Sequence, residues 1–211
     1  MKMKRNDDSR PFMLLLVGLL VALLAGCSSK SPEVSYYSLF TAGPVKPGKT
    51  EDTATVLAIG PVTAPDILRR SQIATGSGAG RYRLSDYHRW AGDVEKDFAR
   101  ALAELLAGRG DAGQVVLYPA PQKADCQLAV DILAMEGELG QEARLAVSWS
   151  LLDSRHQATA VARRSAFGRQ PEDAGYDAWV RAQQANLAEF SEEVGDTLAR
   201  GGCRVRSSSG Q

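Results

Sequence analysis

Three stretches decide how this chain folds: CQLAVDILAM (Cys126–Met135), ARLAVSWSLL (Ala143–Leu152) and ATAVARRSAF (Ala158–Phe167). In the first, Leu128, Val130 and Ile132 alternate with polar or small residues. In the second, Leu145, Val147, Trp149 and Leu151 do the same. Successive side chains of a strand point to opposite faces, so this period of two marks strands with one buried face. The third stretch alternates more weakly. Gly137–Gly140 and Asp153–Gln157 are the turns between them, so the three read as an antiparallel meander.

Outward from the meander, the period changes to that of a helix. Tyr176, Trp179, Val180, Leu187, Phe190, Val194 and Leu198 recur at helical steps within 176–200, between Pro171–Gly175 and Gly201-Gly202. Such a stripe is a core face. Upstream, Asp93–Ala107 reads as a second helix, with Asp93 as its cap, Val94, Phe98, Leu102, Leu105 and Leu106 as its apolar side, and Gly108 and Gly110 as its stop. Gln114–Leu117 is a short strand before Pro119 and Pro121. Thr53–Ile59 is another, ended by Gly60-Pro61. Tyr36–Phe40 is expected to be a first strand, and Pro65–Arg70 a turn or short helical piece. Ser71–Thr75 and Arg81–Leu84 form a hairpin around the glycine-rich tip 76–80. Strands, helix, strand, meander and helix make an α+β domain: an antiparallel or mixed β-sheet with two main helices packed on it.

The N-terminus sets the compartment. Lys2, Lys4, Arg5 and Arg10 precede the apolar run Phe12–Leu24, which ends in Leu24-Ala25-Gly26-Cys27. A basic segment, an apolar run and small residues before a cysteine form a bacterial lipoprotein signal, with Cys27 as the lipid attachment site. The run has about 13 residues, short of the roughly 20 that a spanning helix needs. Residues 1–26 are therefore expected to be cleaved, 27–35 to be a lipidated tether, 36–203 the domain and 204–211 a disordered tail. Ser28 after the cysteine favours the outer membrane under the enteric sorting rule.

Of 25 basic and 25 acidic residues, the signal removes four and two, leaving 21 against 23 and a formal charge of −2. No basic excess exists to draw nucleic acid. Cys126 and Cys203 are the two cysteines beyond Cys27. In an oxidising periplasm they suggest a disulfide, closing a loop of about 76 residues and stabilising by about 4 kcal/mol in the chain-entropy model. The other reading is two unpaired thiols. Neither has a His or second Cys at ligand spacing, so no metal site is expected.

Catalytic signatures are sparse. His88 precedes the first helix and His156 falls in a turn. There is no Gly-x-Ser-x-Gly elbow, His-Glu-x-x-His or dinucleotide fingerprint, and the glycine run lacks the Lys-Ser/Thr ending of a phosphate loop. The expectation is a non-enzymatic protein without cofactor. The stretch Ile59–Ala91, by contrast, is dense in Arg69, Arg70, Arg81, Arg83 and Arg89 and in Tyr82, Tyr87 and Trp90. Arginine and aromatic residues are enriched at interfaces. Arg69, Arg70, Arg89 and Trp90 are the candidate partner-binding residues, weighed against a solvated hairpin with one buried tryptophan.

Ile59-Gly60-Pro61-Val62, Pro65, Leu68-Arg69-Arg70, Gln72-Ile73, Tyr82-Arg83-Leu84 and Asp86-Tyr87-His88-Arg89-Trp90-Ala91 together resemble the PqiC-type ABC transport auxiliary lipoproteins. Tyr36-Tyr37-x-Leu39, the strand from Cys126, the Trp149-Ser150-Leu151 strand and the long last helix are similar to that family too. One departure is Gly92-Asp93-Val94 where the family tends to run Glu-Pro-Leu, which bears on where the first helix begins. The resemblance implies an outer-membrane lipoprotein facing the periplasm. It would dock a periplasmic MCE-domain protein, working with an inner-membrane transport component in a system that moves phospholipids between membranes and supports membrane integrity. A ring-forming partner would favour a homo-oligomer by symmetry matching. A periplasmic lipid carrier and a purely structural envelope lipoprotein are the rival readings.

Overall fold

A computed structural model describes residues 32–40, 55–76, 80–110, 112–154 and 158–203. The signal, Cys27, most of the tether, the loop at Lys46–Asp52, the tip of the hairpin, His156 and the tail 204–211 lie outside the described residues. Pro32 and Glu33 group with the residues before them, and Val34 begins the folded unit. Among the described residues, eight strands and two helices succeed one another as β1 (Ser35–Tyr37), β2 (Val56–Thr63), β3 (Gln72–Gly76), β4 (Tyr82–Trp90), α1 (Val94–Arg109), β5 (Gln114–Leu117), β6 (Cys126–Glu136), β7 (Ala143–Asp153), β8 (Ala158–Arg169) and α2 (Tyr176–Ala199).

The meander and both helices stand as expected, within an α+β domain. The sheet differs in two ways. There are two sheets rather than one, a five-stranded β5-β2-β6-β7-β8 and a three-stranded β1-β4-β3. And β2 does not stop at Gly60-Pro61. It runs to Thr63, parallel to both β5 and β6, with a register shift against β6 between Ile59 and Val62. The reason is local. Pro61 has no N–H to give the ladder, and such a residue is accommodated where the pairing is already interrupted. Gly60 takes φ 120° there, a conformation closed to residues with a Cβ. The Gln127 side-chain amide donates to the freed Gly60 carbonyl at 2.8 Å.

One face of the larger sheet carries Leu57, Ile59, Leu128, Val130, Ile132, Leu145, Val147, Trp149 and Leu151, all buried. Against it pack Phe98, Leu102 and Leu106 of α1 and Trp179, Leu187 and Val194 of α2. Phe190 sits at the centre, its ring 5.9 Å from Trp149, 6.0 Å from Phe167 and 6.4 Å from Phe98. A bulge in β6 lets Leu133 point outward while Ile132 and Met135 both stay buried.

The long helix is not apolar all along its inner face. Gln183 donates to the carbonyls of Glu136 and Arg144, each at 3.2 Å, and Asn186, 0% exposed, donates to that of Ala143 at 2.8 Å. These amides satisfy carbonyls where the β6–β7 hairpin turns and the ladder ends, so α2 is set in register on the sheet by polar bonds as well as packing. Asp93 caps α1, accepting from the backbone N–H groups of Glu95 and Lys96. Its C-cap is Gly110 at φ 76°, as the glycine pattern predicts.

Candidate functional site

The region singled out by its arginines and aromatics folds into the small sheet. Strand β1 pairs in parallel with the end of β4, Ser35 beside His88, Tyr36 beside Arg89 and Tyr37 beside Trp90. It is shorter than the Tyr36–Phe40 expected, because Ser38 and Leu39 turn away to bond side chains instead. The Asp97 carboxylate of α1 accepts from Ser38 Oγ at 2.8 Å and from the Leu39 N–H at 2.6 Å. The Gln184 amide of α2 donates to the Ser38 carbonyl at 3.0 Å. Both helices and β4 therefore hold the segment that opens the domain.

His88 is part of the same attachment. Its Nδ1 shares a 2.8 Å hydrogen bond with the Tyr37 hydroxyl, and its ring stacks on Tyr176 with centroids 4.0 Å apart. Burial and then the hydrogen bond to the Asp177 carboxylate push the Tyr37 hydroxyl above its ordinary value of 10.0. The histidine thus joins β1, β4 and the start of α2.

Strand β4 runs past the expected end at Leu84 and continues to Trp90. Its pairing with β3 jumps from Ala74–Leu84 to Gln72–Arg89, so Ser85–His88 bulge out of the ladder. The Ser85 hydroxyl accepts from the N–H groups of Tyr87 and His88, replacing the lost ladder bonds within the bulge. No local sequence cue marks this bulge, since Asp86–Trp90 reads equally well as a connection to α1.

The register also sorts the side chains. Residues opposite one another in a sheet share a face, and so do alternate residues of one strand. Tyr36, Arg89 and Gln72 therefore make a row on one face, followed by Leu84 with Ala74 and Tyr82 with Gly76. Tyr36 is 65% exposed and Tyr87, at the bulge, 43%; Leu84 and Tyr82 are exposed as well. The Tyr82 hydroxyl is raised above 10.0 by burial and by the charge of Glu136, to which it hydrogen-bonds. The Tyr36-Tyr37 doublet is the signal available in the sequence: in a strand, one tyrosine goes in and the other out.

The expected partner residues separate. Trp90 is a correction: it is 4% exposed and packs on Trp179, 6.4 Å between centroids, so it is core and not contact surface. It faces inward because β4 continues as a strand, which puts it on the side opposite Arg89. Arg69 is exposed at the turn before β3, in ion pairs with Asp66 at 3.2 Å and Glu95 at 3.7 Å. Arg70 is exposed beside it. Arg89 is half-buried, with an Nε that makes no hydrogen bond. Arg69 and Arg70 stand near the start of α1, and Arg89 shares the face of Tyr36.

Cys126 opens β6 and Cys203 follows α2, with Cα atoms 5.8 Å apart. That separation suits a disulfide. Arg109 of α1 and Asp196 of α2 pair nearby at 2.9 Å. Among the described residues, no three His, Cys, Asp or Glu side chains are grouped so as to hold a metal ion, and no helix is long and apolar enough to cross a membrane.

A family model described as the ABC-type transport auxiliary lipoprotein component matches residues 37–195. No curated protein matches by sequence. Among solved structures, the fold is similar to protein XCC0632 from Xanthomonas campestris, at 20% identity, a TM-score of 0.63, and coverage of 79% of this chain and 96% of that one. It is also similar to a crystal structure of an uncharacterised protein, at 19% identity, a TM-score of 0.64, and coverage of 81% and 99%. At that identity the likeness establishes the fold.

Proposed function

The chain belongs to the ABC-type transport auxiliary lipoprotein family, and from that membership we propose that it is the non-enzymatic outer-membrane subunit of an MCE/Pqi-type system moving phospholipids between membranes. A lipid on Cys27 anchors it. The domain 36–203 docks the periplasmic MCE-domain component, which works with an inner-membrane transport component. A disulfide between Cys126 and Cys203 closes the domain, and assembly into a homo-oligomer would match a ring-shaped partner.

The family match over 37–195 carries this reading. Two structural features support it. The segment next to the tether is held by Asp97, Gln184 and His88, as an anchored scaffold requires. The space between sheet and helices, where a lipid carrier would need its cavity, is occupied by Phe190, Trp149, Phe98 and Phe167. Partner contact is assigned to Arg69 and Arg70, since Trp90 is buried and Arg89 lies on the face of Tyr36.

The test is affinity purification of the lipidated protein from gently solubilised envelopes, with mass spectrometry of what is retained. An MCE-domain protein is expected, reduced several-fold by Arg70→Glu at unchanged thermal stability. Absence of any MCE-domain protein from a folded preparation would shift the reading to a lipid carrier or a structural lipoprotein.

A further inference from the structure

The tyrosine-bearing face of the small sheet lies beside the point where the tether enters the domain. Chain direction fixes this. Strand β1 is parallel to β4 and begins beside His88, so residues preceding Ser35 leave the sheet next to the Ser85–His88 bulge. That exit cannot swing freely, because β1 is paired to β4 and the residues after it are bonded to both helices: Ala91 N–H donates to the Tyr37 carbonyl at 2.7 Å, Leu39 N–H to Asp97 and Gln184 to Ser38.

Ser35 lies eight positions after Cys27, and eight steps of fully extended chain reach at most about 28 Å. With Cys27 anchored, the surface around the exit is therefore confined close to the head groups, whose layer is itself several ångströms deep. Such confinement raises the effective concentration of lipid at this face, so even a weak contact becomes populated.

The residues there have the chemistry of that boundary. Tyr36 and Tyr87 are exposed, and tyrosine rings concentrate at membrane–water interfaces, with an apolar body and a polar tip. Leu84 adds apolar surface on the face of Tyr36. Arg81 and Arg83 are exposed near by, and guanidinium groups meet phosphate oxygens bidentately. Asp86 in the bulge brings an opposing charge. Arg69 and Arg70 precede Ser71, whose carbonyl accepts from Trp90 N–H, so they follow on from the Tyr36–Arg89–Gln72 row.

We propose that the β1–β4 face bearing Tyr36 and Leu84, with Tyr87 of the adjoining bulge, rests on the phospholipid head groups of the membrane that anchors Cys27. The contact holds the domain in one orientation on the bilayer. This inference rests on the lipid-anchored reading of Cys27.

The test reconstitutes the mature lipidated protein in vesicles of phosphatidylethanolamine and phosphatidylglycerol, some containing brominated acyl chains that quench tryptophan. All three native tryptophans, Trp90, Trp149 and Trp179, are buried, so Tyr36→Trp supplies an exposed probe and Tyr118→Trp, on the far sheet, the control. The native emission checks the fold, and the mass of the N-terminal peptide checks the lipid. The expected result is several-fold stronger quenching for Tyr36→Trp than for Tyr118→Trp. Lipid on Cys27 with equal quenching at the two positions overturns the contact alone. Emission of Tyr36→Trp shielded from brominated lipid and from an aqueous quencher alike overturns it in favour of a protein on this face. An N-terminal peptide without lipid overturns the contact and the anchored reading together.

Discussion

Tyr37 keeps its proton beyond 10.0 because ionising it would place a charge in a partly buried site beside the Asp177 carboxylate. Tyr82 does so through burial and Glu136. The sign of the effect on stability comes from proton counting. Below the ordinary value of 10.0 both folded and unfolded chains hold these protons, and the contribution is complete. Above it the unfolded chain releases them first, so the native state binds more protons and stability falls as pH rises through the folded values. A spectroscopic tyrosinate titration is expected to show a late-ionising fraction among the six tyrosines, part of which Tyr37→Phe removes. A single common transition for all six would contradict this placement of Tyr37. The doublet Tyr36-Tyr37 illustrates how far single residues can be read: strand alternation separates the two tyrosines, but nothing in the sequence says which faces His88.

Strand β1 has only three residues, too few to hold by ladder bonds alone. Its security comes from Asp97, which answers two donors of the chain immediately after it. Asp97→Ala leaves the Leu39 N–H without its partner, and an unpaired polar group costs about 1–3 kcal/mol when desolvated. The expected outcome is a lower denaturant midpoint and faster amide exchange concentrated at 35–39. Uniformly faster exchange across both sheets would show that Asp97 supports the whole core rather than β1. Helix α1 is legible through its cap, stripe and glycine stop; its bond to β1 is not, because Asp97 lies on the polar side and looks like an ordinary solvated carboxylate. The buried Gln183 and Asn186 of α2 are hidden for the same reason. They are polar residues within a helical pattern, and only the hairpin carbonyls beside them explain their burial.

A disulfide between Cys126 and Cys203 would link the start of β6 to the end of α2 across 77 positions. A cross-link over a loop of that length contributes about 4 kcal/mol by restricting the unfolded chain. Cys203→Ser, or reduction, is expected to lower the unfolding free energy by about that much while leaving the circular-dichroism spectrum of the folded protein unchanged. An unfolding curve insensitive to reductant would show that the two thiols are unpaired.

Alternation in β6 and β7, the helical stripes, the cap at Asp93 and the glycine stops are all readable from the chain, because each depends on spacing between neighbouring residues and on side-chain propensity. The α+β class comes from their order. The division into two sheets, the passage of β2 through Gly60-Pro61, the bulge at Ser85–His88 and the inward turn of Trp90 are not readable. Each depends on which distant strand supplies the hydrogen-bond partners. Pairing of β2 with β5 and β6, and of β1 with β4, joins segments tens of residues apart, and period-two alternation is indifferent to the partner it meets. The candidate surface divides in the same way: its arginines and tyrosines are a matter of composition, whereas the burial of Trp90 and the placing of Tyr36 and Arg89 on the opposite face arise from strand register and from the bonds that hold β1.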